Sequence, residues 1–428
     1  MQRYSEYKDS GVKWLGEIPS HWNVILTKYI ANLYTGNSLN EASKEMYSNR
    51  RDDARAYISS KDIDLITGNV NYENGLYIPR EEYIFEVAPQ NSFLLCIEGG
   101  SAGRKKAFLT KECCFVNKLC CFDSIINPKF HYYFIHGEYF QTMFNCSLQG
   151  LIGGVSVSTL RNFYTVVPSI EEQECIVSYL DDIISKIDIA IAQQQRMVDL
   201  LNERKQIIIN NAVTKGLNPK VRMKDSCVEW IGEIPEHWEM KRLKTILSIK
   251  DERNSDPSAT LLSVYTAIGV KPRKELKERG NKANTVINYK IVNKGDLIVN
   301  RLLAWMGACG LSNYDGVTSP DYDVYAFRSG YNRLYYELYF RNTHFKSDCY
   351  KYGHGIMMMR WRTYPDEFLN IMIPVPPLEE QTAIYNHINP LINNIAAYIE
   401  KCKNQITLLQ ERKQIIINDV VTGKVKVV

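Results

Sequence analysis

Apolar residues recur in steps of four and three along two long stretches of the 428-residue chain. In the first, Ile176, Leu180, Ile183, Ile187, Ala190, Gln194, Met197, Leu201, Arg204 and Ile208 occupy the a and d positions of a heptad seam. In the second, Ile384, Ile388, Leu391, Ile395, Tyr398, Cys402, Gln405, Leu409, Arg412 and Ile416 repeat that seam 208 positions later. The spacing predicts two helices of matched length packed against each other. The first runs from about Ser169 to Val213, roughly 65 Å at 1.5 Å per residue. Ser169 and Glu172 suit a capping box at its start. Pro376-Pro377 opens the second helix without a capping hydroxyl. Gln194 and Gln405 are polar seam positions that either set register or are hydrated.

Outside these helices the texture changes. Short runs rich in Tyr, Ile, Val and Phe, such as Phe93–Ile97 and Asp296–Asn300, are bounded by Gly, Pro, Asn and Lys and read as strands. Tyr132–Phe144 and Leu334–Phe345 are aromatic-rich at helical spacing and predict one packed helix in each region. The expected class is α+β, with two mixed α/β domains framed by two long helices. The boundaries are 1–167 and 218–375 for the domains, 168–217 and 376–428 for the helices.

The frame is duplicated. Lys8–Trp22 (KDSGVKWLGEIPSHW) returns as Lys224–Trp238 (KDSCVEWIGEIPEHW), identical at 11 of 15 positions. Leu200–Thr214 (LLNERKQIIINNAVT) returns as Leu408–Thr422 (LLQERKQIIINDVVT), identical at 12 of 15. The middles share little identity. One frame with two contents suits one task performed on two different targets, although drift alone also erases identity. A period near 210 is far longer than the roughly 20–50 residues of a solenoid repeat.

Composition removes several classes. With 45% hydrophobic and 23% charged residues the chain is ordinary globular material. No apolar run approaches the roughly 18–20 residues of a membrane span, and MQRYSEYKDS has no signal-peptide core, so a soluble, cytoplasmic protein is expected. Eleven cysteines without a secretory signal point to reduced thiols. Cys113, Cys114, Cys120 and Cys121 lack zinc-hook spacing and a nearby histidine, and read as buried structural thiols. The net charge is only +4; residues 1–168 carry 17 basic against 17 acidic groups, and 224–378 carry 22 against 18. A polyanion partner therefore requires basic residues gathered on one face, or attraction supplied by other subunits.

The Trp-x-Gly-x-Ile-Pro-x-x-Trp openings (Trp14–Trp22, Trp230–Trp238), the helix starts at Pro168-Ser169-Ile170-Glu171-Glu172-Gln173 and Pro376-Pro377-Leu378-Glu379-Glu380-Gln381, and the ERKQ helices resemble the specificity subunit of type I restriction-modification systems. The resemblance spans the whole chain. It implies two target recognition domains, each reading one half of a split double-stranded DNA sequence. It also implies a pseudo-twofold arrangement in which the two helices form an antiparallel coiled coil that joins and spaces the domains. The implied partners are two methyltransferase subunits and, where the system cuts DNA, restriction–translocation subunits. In the second domain, Leu262–Tyr265 (LSVY), Gly295–Asn300 (GDLIVN), Ala304–Ala308 (AWMGA) and Thr318-Ser319-Pro320 resemble one subgroup of these domains. In the first, Gly99–Arg104 (GGSAGR) resembles the commoner GSxGK loop. The two domains are thus expected to share a fold and to read different half-sites.

The chain carries no N-P-P-[FY], no G-x-x-x-x-G-K-[ST] and no H-E-x-x-H, so neither catalysis nor a cofactor is expected of it. A free-standing two-domain regulator is the alternative, but no compact helix-turn-helix pattern supports it. The glycine turn carrying Arg104, Lys105 and Lys106 suits close approach to a DNA phosphate, or else is a solvated basic hairpin tip. Gln149 and Ser156, flanking Gly150–Val155, are candidates for base edges. In the second domain Arg301, Arg360 and Arg362 are the candidate base or phosphate contacts, because the arginine fork matches guanine O6 and N7. Lys351 and His354 support them, and Trp305 and Trp361 are expected in the core. Lys271–Lys277 reads as a solvated basic face, with a phosphate contact as the other reading.

Overall fold

The computed structural model describes residues 2–48, 53–150, 153–266, 268–275, 285–356 and 361–427. The chain forms two compact units, Met1–Gln194 with Asn404–Val428, and Gln195–Lys403. Two helices of 46 and 44 residues, Ile170–Lys215 and Leu378–Val421, each begin in one unit and end in the other. Pro390 lies inside the second helix, where it removes one i→i−4 hydrogen bond without ending the helix. Among the described residues no helix is long and apolar enough to cross a membrane.

The first unit packs Ile176, Leu180, Ile184 and Ile187 of the first helix with Ile416, Ile417, Val420 and Val421 of the second. Lys413 bonds both oxygens of Asp188 at 2.7 and 2.9 Å. In the second unit, Val198 clusters with Ile399 and Cys402, while Ile209, Ala212 and Val213 share a core with Ile384, Ile388 and Ile392. In both units the start of one helix therefore meets the end of the other, the antiparallel pairing expected of a coiled coil. The seam residues differ from the heptad reading. Ile184, Val198, Ile392 and Ile399 are buried, whereas Met197, Leu391 and Tyr398 are exposed. The physical reason is periodicity: buried Ile176, Ile187, Val198 and Ile209 recur every eleven residues. Eleven residues over three turns is about 3.67 per turn, whereas a 3.5 seam drifts off the face of a straight helix by about 20° per heptad.

The two mixed domains share the strand order of their central sheet. In the first, an antiparallel sheet orders Ala31–Thr35, Leu119–Ser124, Phe93–Cys96 and Lys106–Phe108. The second has the same order in Leu247–Lys250, Tyr322–Phe327, Leu297–Asn300 and Cys309–Leu311. Phe93–Cys96 is apolar throughout because both of its faces are covered. Phe93 and Leu95 join Cys120 and Phe122 in one cluster, and Leu94 and Cys96 join Cys113 and Cys121 in another. The thiols are thus core groups on strands, and burial pushes Cys114 and Cys121 up to about 11, far from the reactive thiolate range.

Each aromatic segment forms two short helices instead of one: Pro128–Phe134 and Glu138–Cys146, then Arg333–Phe340 and Thr343–Lys351. In the second domain the periodicity passes through the break because both helices bury Tyr335, Tyr336, Tyr339 and Phe345 in one core, whereas in the first Phe130 and Phe134 pack with the long helices and Phe140 and Phe144 pack with the sheet. The break itself is set by Gly137 and Asn342, which cap the second helix of each pair.

Candidate nucleic-acid interface

The repeated sequences are clamps. Trp22 Nε1 donates to Glu172 Oε2 at 3.1 Å, and His21 Nε2 lies 3.0 Å from the same oxygen. Trp238 Nε1 donates to Glu380 Oε2 at 3.0 Å, with His237 Nε2 at 2.8 Å. Ser169 does accept from the Glu172 amide, at 3.3 Å, but the Glu172 carboxylate serves the tryptophan, so the expected capping box is only half made. The next residue holds the target domain. Gln173, fully buried, accepts from the Asn127 amide and donates to Pro168 O; Gln381 does the same with Asn332 and Pro376. At the far end of each helix, a glutamine and an asparagine one turn apart grip the break between the two short helices. Gln414 donates to His136 O, and Asn418 accepts from the Glu138 amide. Gln206 accepts from the Thr343 amide, and Asn210 accepts from the Asn342 side chain. The sequence reading missed these six roles, although their identity in both copies was the signal.

On this frame the first domain brings two candidate loops together. The Gly153 carbonyl accepts from the Gly99 amide and the Ile97 carbonyl from the Val155 amide, so the glycine turn and the Gln149–Ser156 loop form one surface. Arg104 and Gln149 are exposed there. The other three are engaged. Lys105 donates to Ser60 O at 2.7 Å. Lys106 is 7% exposed and donates to Gln141 Oε1 at 3.2 Å, with burial pulling it down to about 8. Ser156 caps the short helix Val157–Arg161 through the Thr159 amide. The tip is therefore not uniformly solvated: one of its three cations faces water.

In the second domain Arg301 is clamped by Asp323, which is 1% exposed and accepts from Arg301 Nε at 2.7 Å and Nη2 at 2.5 Å. Lys290 approaches the same carboxylate at 3.0 Å. Hydrogen bonding to Asp323 holds the Arg301 guanidinium above its ordinary pKa, and its fork is used inside the fold. His354 and Arg362 pair through their backbones, so the two exposed residues stand side by side, and exposed Lys351 ends the helix Thr343–Lys351 just before them. His354 Nδ1 lies 3.2 Å from Glu367 Oε1. Trp361 stacks on Tyr350 at 4.8 Å, half-buried, and Trp305 donates to Leu302 O. Lys271 donates to the Tyr314 hydroxyl. Arg360, with Leu151, Ile152, Leu276 and Lys277 of the loops singled out above, lies outside the described residues.

Two domains built on the same central sheet, each held by the ends of a pair of antiparallel helices, define a duplicated scaffold. The model of the type I restriction modification DNA specificity domain matches residues 19–197 and again 235–408, and the chain belongs to that family. Curated relatives include two Methanocaldococcus jannaschii proteins. The MjaVIII type I restriction enzyme specificity subunit is 25% identical over 80% of this chain and 80% of its own length. The protein named as the MjaX type I restriction enzyme specificity subunit is 26% identical over 64% of this chain, and the chain spans 62% of that relative's length. A solved chain from a type I restriction-modification system, described for its complex assembly and conformational transition, shares the fold with TM-score 0.70. It is 13% identical, and the match covers 95% of this chain and 99% of that one.

Proposed function

We propose that this chain is the non-catalytic DNA-reading subunit of a type I restriction-modification complex. Each target domain reads one half of a bipartite, asymmetric double-stranded sequence, and the long helices position two methyltransferase subunits and, where present, nuclease–translocase subunits. The observation that carries this reading is the contrast between identical clamps and non-identical loops: equivalent frames hold Arg104 and Gln149 in one domain and Lys351, His354 and Arg362 in the other. Those five exposed residues, together with Arg360, are the proposed DNA contacts. Lys105, Lys106, Ser156 and Arg301 act behind them by holding the loops. Exposed Leu200 and Ile207, and their repeats Leu408 and Ile415, offer apolar helix faces for the methyltransferase subunits.

The test is methylation-aware sequencing of host DNA before and after deletion of this chain, with co-purification of its partner. Loss of methylation at one bipartite motif, and recovery of a methyltransferase subunit with the chain, are expected. The purified chain alone is expected neither to methylate nor to cut. An unchanged methylome, or activity of the contaminant-free chain, overturns the proposal.

A further inference from the structure

Five separate segments of the second domain converge on an open pocket of about 380 Å³, a volume in the range of specific ligand sites. Ser263 comes from the strand Leu262–Tyr265, and Arg273 follows the strand Gly269–Pro272. Asn300 ends the strand Leu297–Asn300 directly opposite Tyr322, and Ser319, Tyr289 and the carboxylate-bearing Asp321 also line the space. The LSVY, GDLIVN and TSP strings, unrelated in sequence, thus present polar groups to one space. Much of this array is built into the fold. Asn300 is buried with its oxygen held by the Leu302 amide, and the Arg273 backbone is fixed by a 2.9 Å bond to Leu261 O. Burial raises the Tyr322 phenol, so its hydroxyl stays protonated.

The arginines of this domain differ sharply in what their forks do. Arg301 is spent on Asp323 and Arg253 on Asp251. Arg273 is half-buried, lines the pocket, and has no carboxylate partner among the described residues. A half-buried guanidinium beside hydroxyls, an amide and the Asp321 carboxylate offers a donor fork to the acceptor pair on a guanine edge, and a carboxylate accepts from the N4 amino group of the paired cytosine. At the same topological place in the first domain, after Phe93–Cys96 and before Leu119–Ser124, stand Glu98 and Lys118, 3.7 Å apart. The equivalent strand ends thus carry different chemistry in the two domains.

Resting on the DNA-reading function above, we infer that the pocket formed by Ser263, Arg273, Tyr289, Asn300, Ser319 and Tyr322 reads one G·C pair of the second half-site, with Arg273 facing the guanine. The test uses the full chain assembled with its methyltransferase subunits on a library randomised across both half-sites. The wild-type complex selects guanine at one position of the second half-site. Arg273→Ala lowers that preference by about tenfold while the first half-site is read as before. Arg273→Lys, which keeps the charge but not the fork, relaxes the same position and carries the test if the alanine variant fails to assemble. Unchanged preference at every position overturns the inference. So does a uniform loss of methylation with a shallower salt dependence, which marks a phosphate contact. If the wild-type complex selects no bipartite sequence, the parent reading fails instead.

Discussion

The ends of the two halves and their middles obey different constraints. At the ends, Trp22 and Trp238 are both fully buried and donate to a glutamate at matching distances, 3.1 and 3.0 Å. In the middles, the same strand order carries Glu98 in one domain and Asn300 with Arg301 in the other. A clamp tolerates little change, because a buried indole N–H without an acceptor costs about 1–3 kcal/mol. A loop that touches only its ligand is free to vary. The contrast appears even inside one repeat: Trp230 donates to Asp348 and stacks on His344 at 5.3 Å, whereas Trp14 is 57% exposed.

If the clamps are interchangeable, residues 1–217 alone should pair with a second copy, Gln206 and Asn210 of each gripping the helix break of the other. Sedimentation should give a dimer, and methylation with the partner subunit should shift to an inverted repeat of the first half-site. A monomer, or retention of the asymmetric site, breaks the comparison.

The helices should also act as a ruler. Inserting eleven residues after Gln193 and eleven after Lys401 keeps the buried stripe in phase and lengthens each helix by about 16 Å at 1.5 Å per residue. With about 3.4 Å per base pair, the recognised spacer should grow by about five. Methylation mapping that still finds the original spacing refutes the ruler.

Smaller effects sharpen the contrast in stability. Trp22→Ala and Trp238→Ala should each cost about 3–5 kcal/mol in denaturant unfolding. Trp14→Ala should cost less than about 0.5 kcal/mol, with Trp230→Ala between. Equal losses at Trp14 and Trp22 would show that the repeats are not clamping as described.

Acid should separate the two units. Burial pulls the fully enclosed His131 of the first domain from 6.5 down to about 3. Because this folded-state pKa is depressed, the unfolded chain takes up the proton first. Stability present above pH 6.5 is therefore lost as pH falls toward 3, by about 1.4 kcal/mol per pH unit. Asp348 of the second domain runs the other way, since burial raises it from 3.8 to about 6 and the folded state binds the proton first. Between pH 6 and 4, hydrogen exchange corrected for intrinsic rates should show loosening in the first domain only; equal loosening in both sinks the assignment.

The smallest effect lies in the opening repeat. Gly11 sits at φ 71° and its counterpart Cys227 at φ 60°, a left-handed conformation that costs a side-chain-bearing residue roughly 1–2 kcal/mol. Cys227→Gly should gain about 0.5–1 kcal/mol after the extra chain entropy of glycine. A lower melting temperature for the variant would contradict this.

Duplication, paired long helices and strand-rich middles were legible from the chain, because repeats and periodicity are local properties that survive without knowledge of contacts. The heptad positions were less secure: 3.5 and 3.67 residues per turn diverge by only a fraction of a residue per turn, and which residues are covered depends on the partner helix. The break at Gly137 and Asn342 was hidden because aromatic residues continue at helical spacing on both sides of it. Among the candidate contacts, composition could select Arg301, Lys105 and Lys106 but could not reveal that Asp323, Ser60 and Gln141 occupy them. Nor could it gather Ser263, Arg273, Asn300 and Ser319 around one pocket. A residue's type and spacing are written in the sequence; whether its hydrogen-bonding groups are free depends on groups far along the chain that only folding brings within 3 Å.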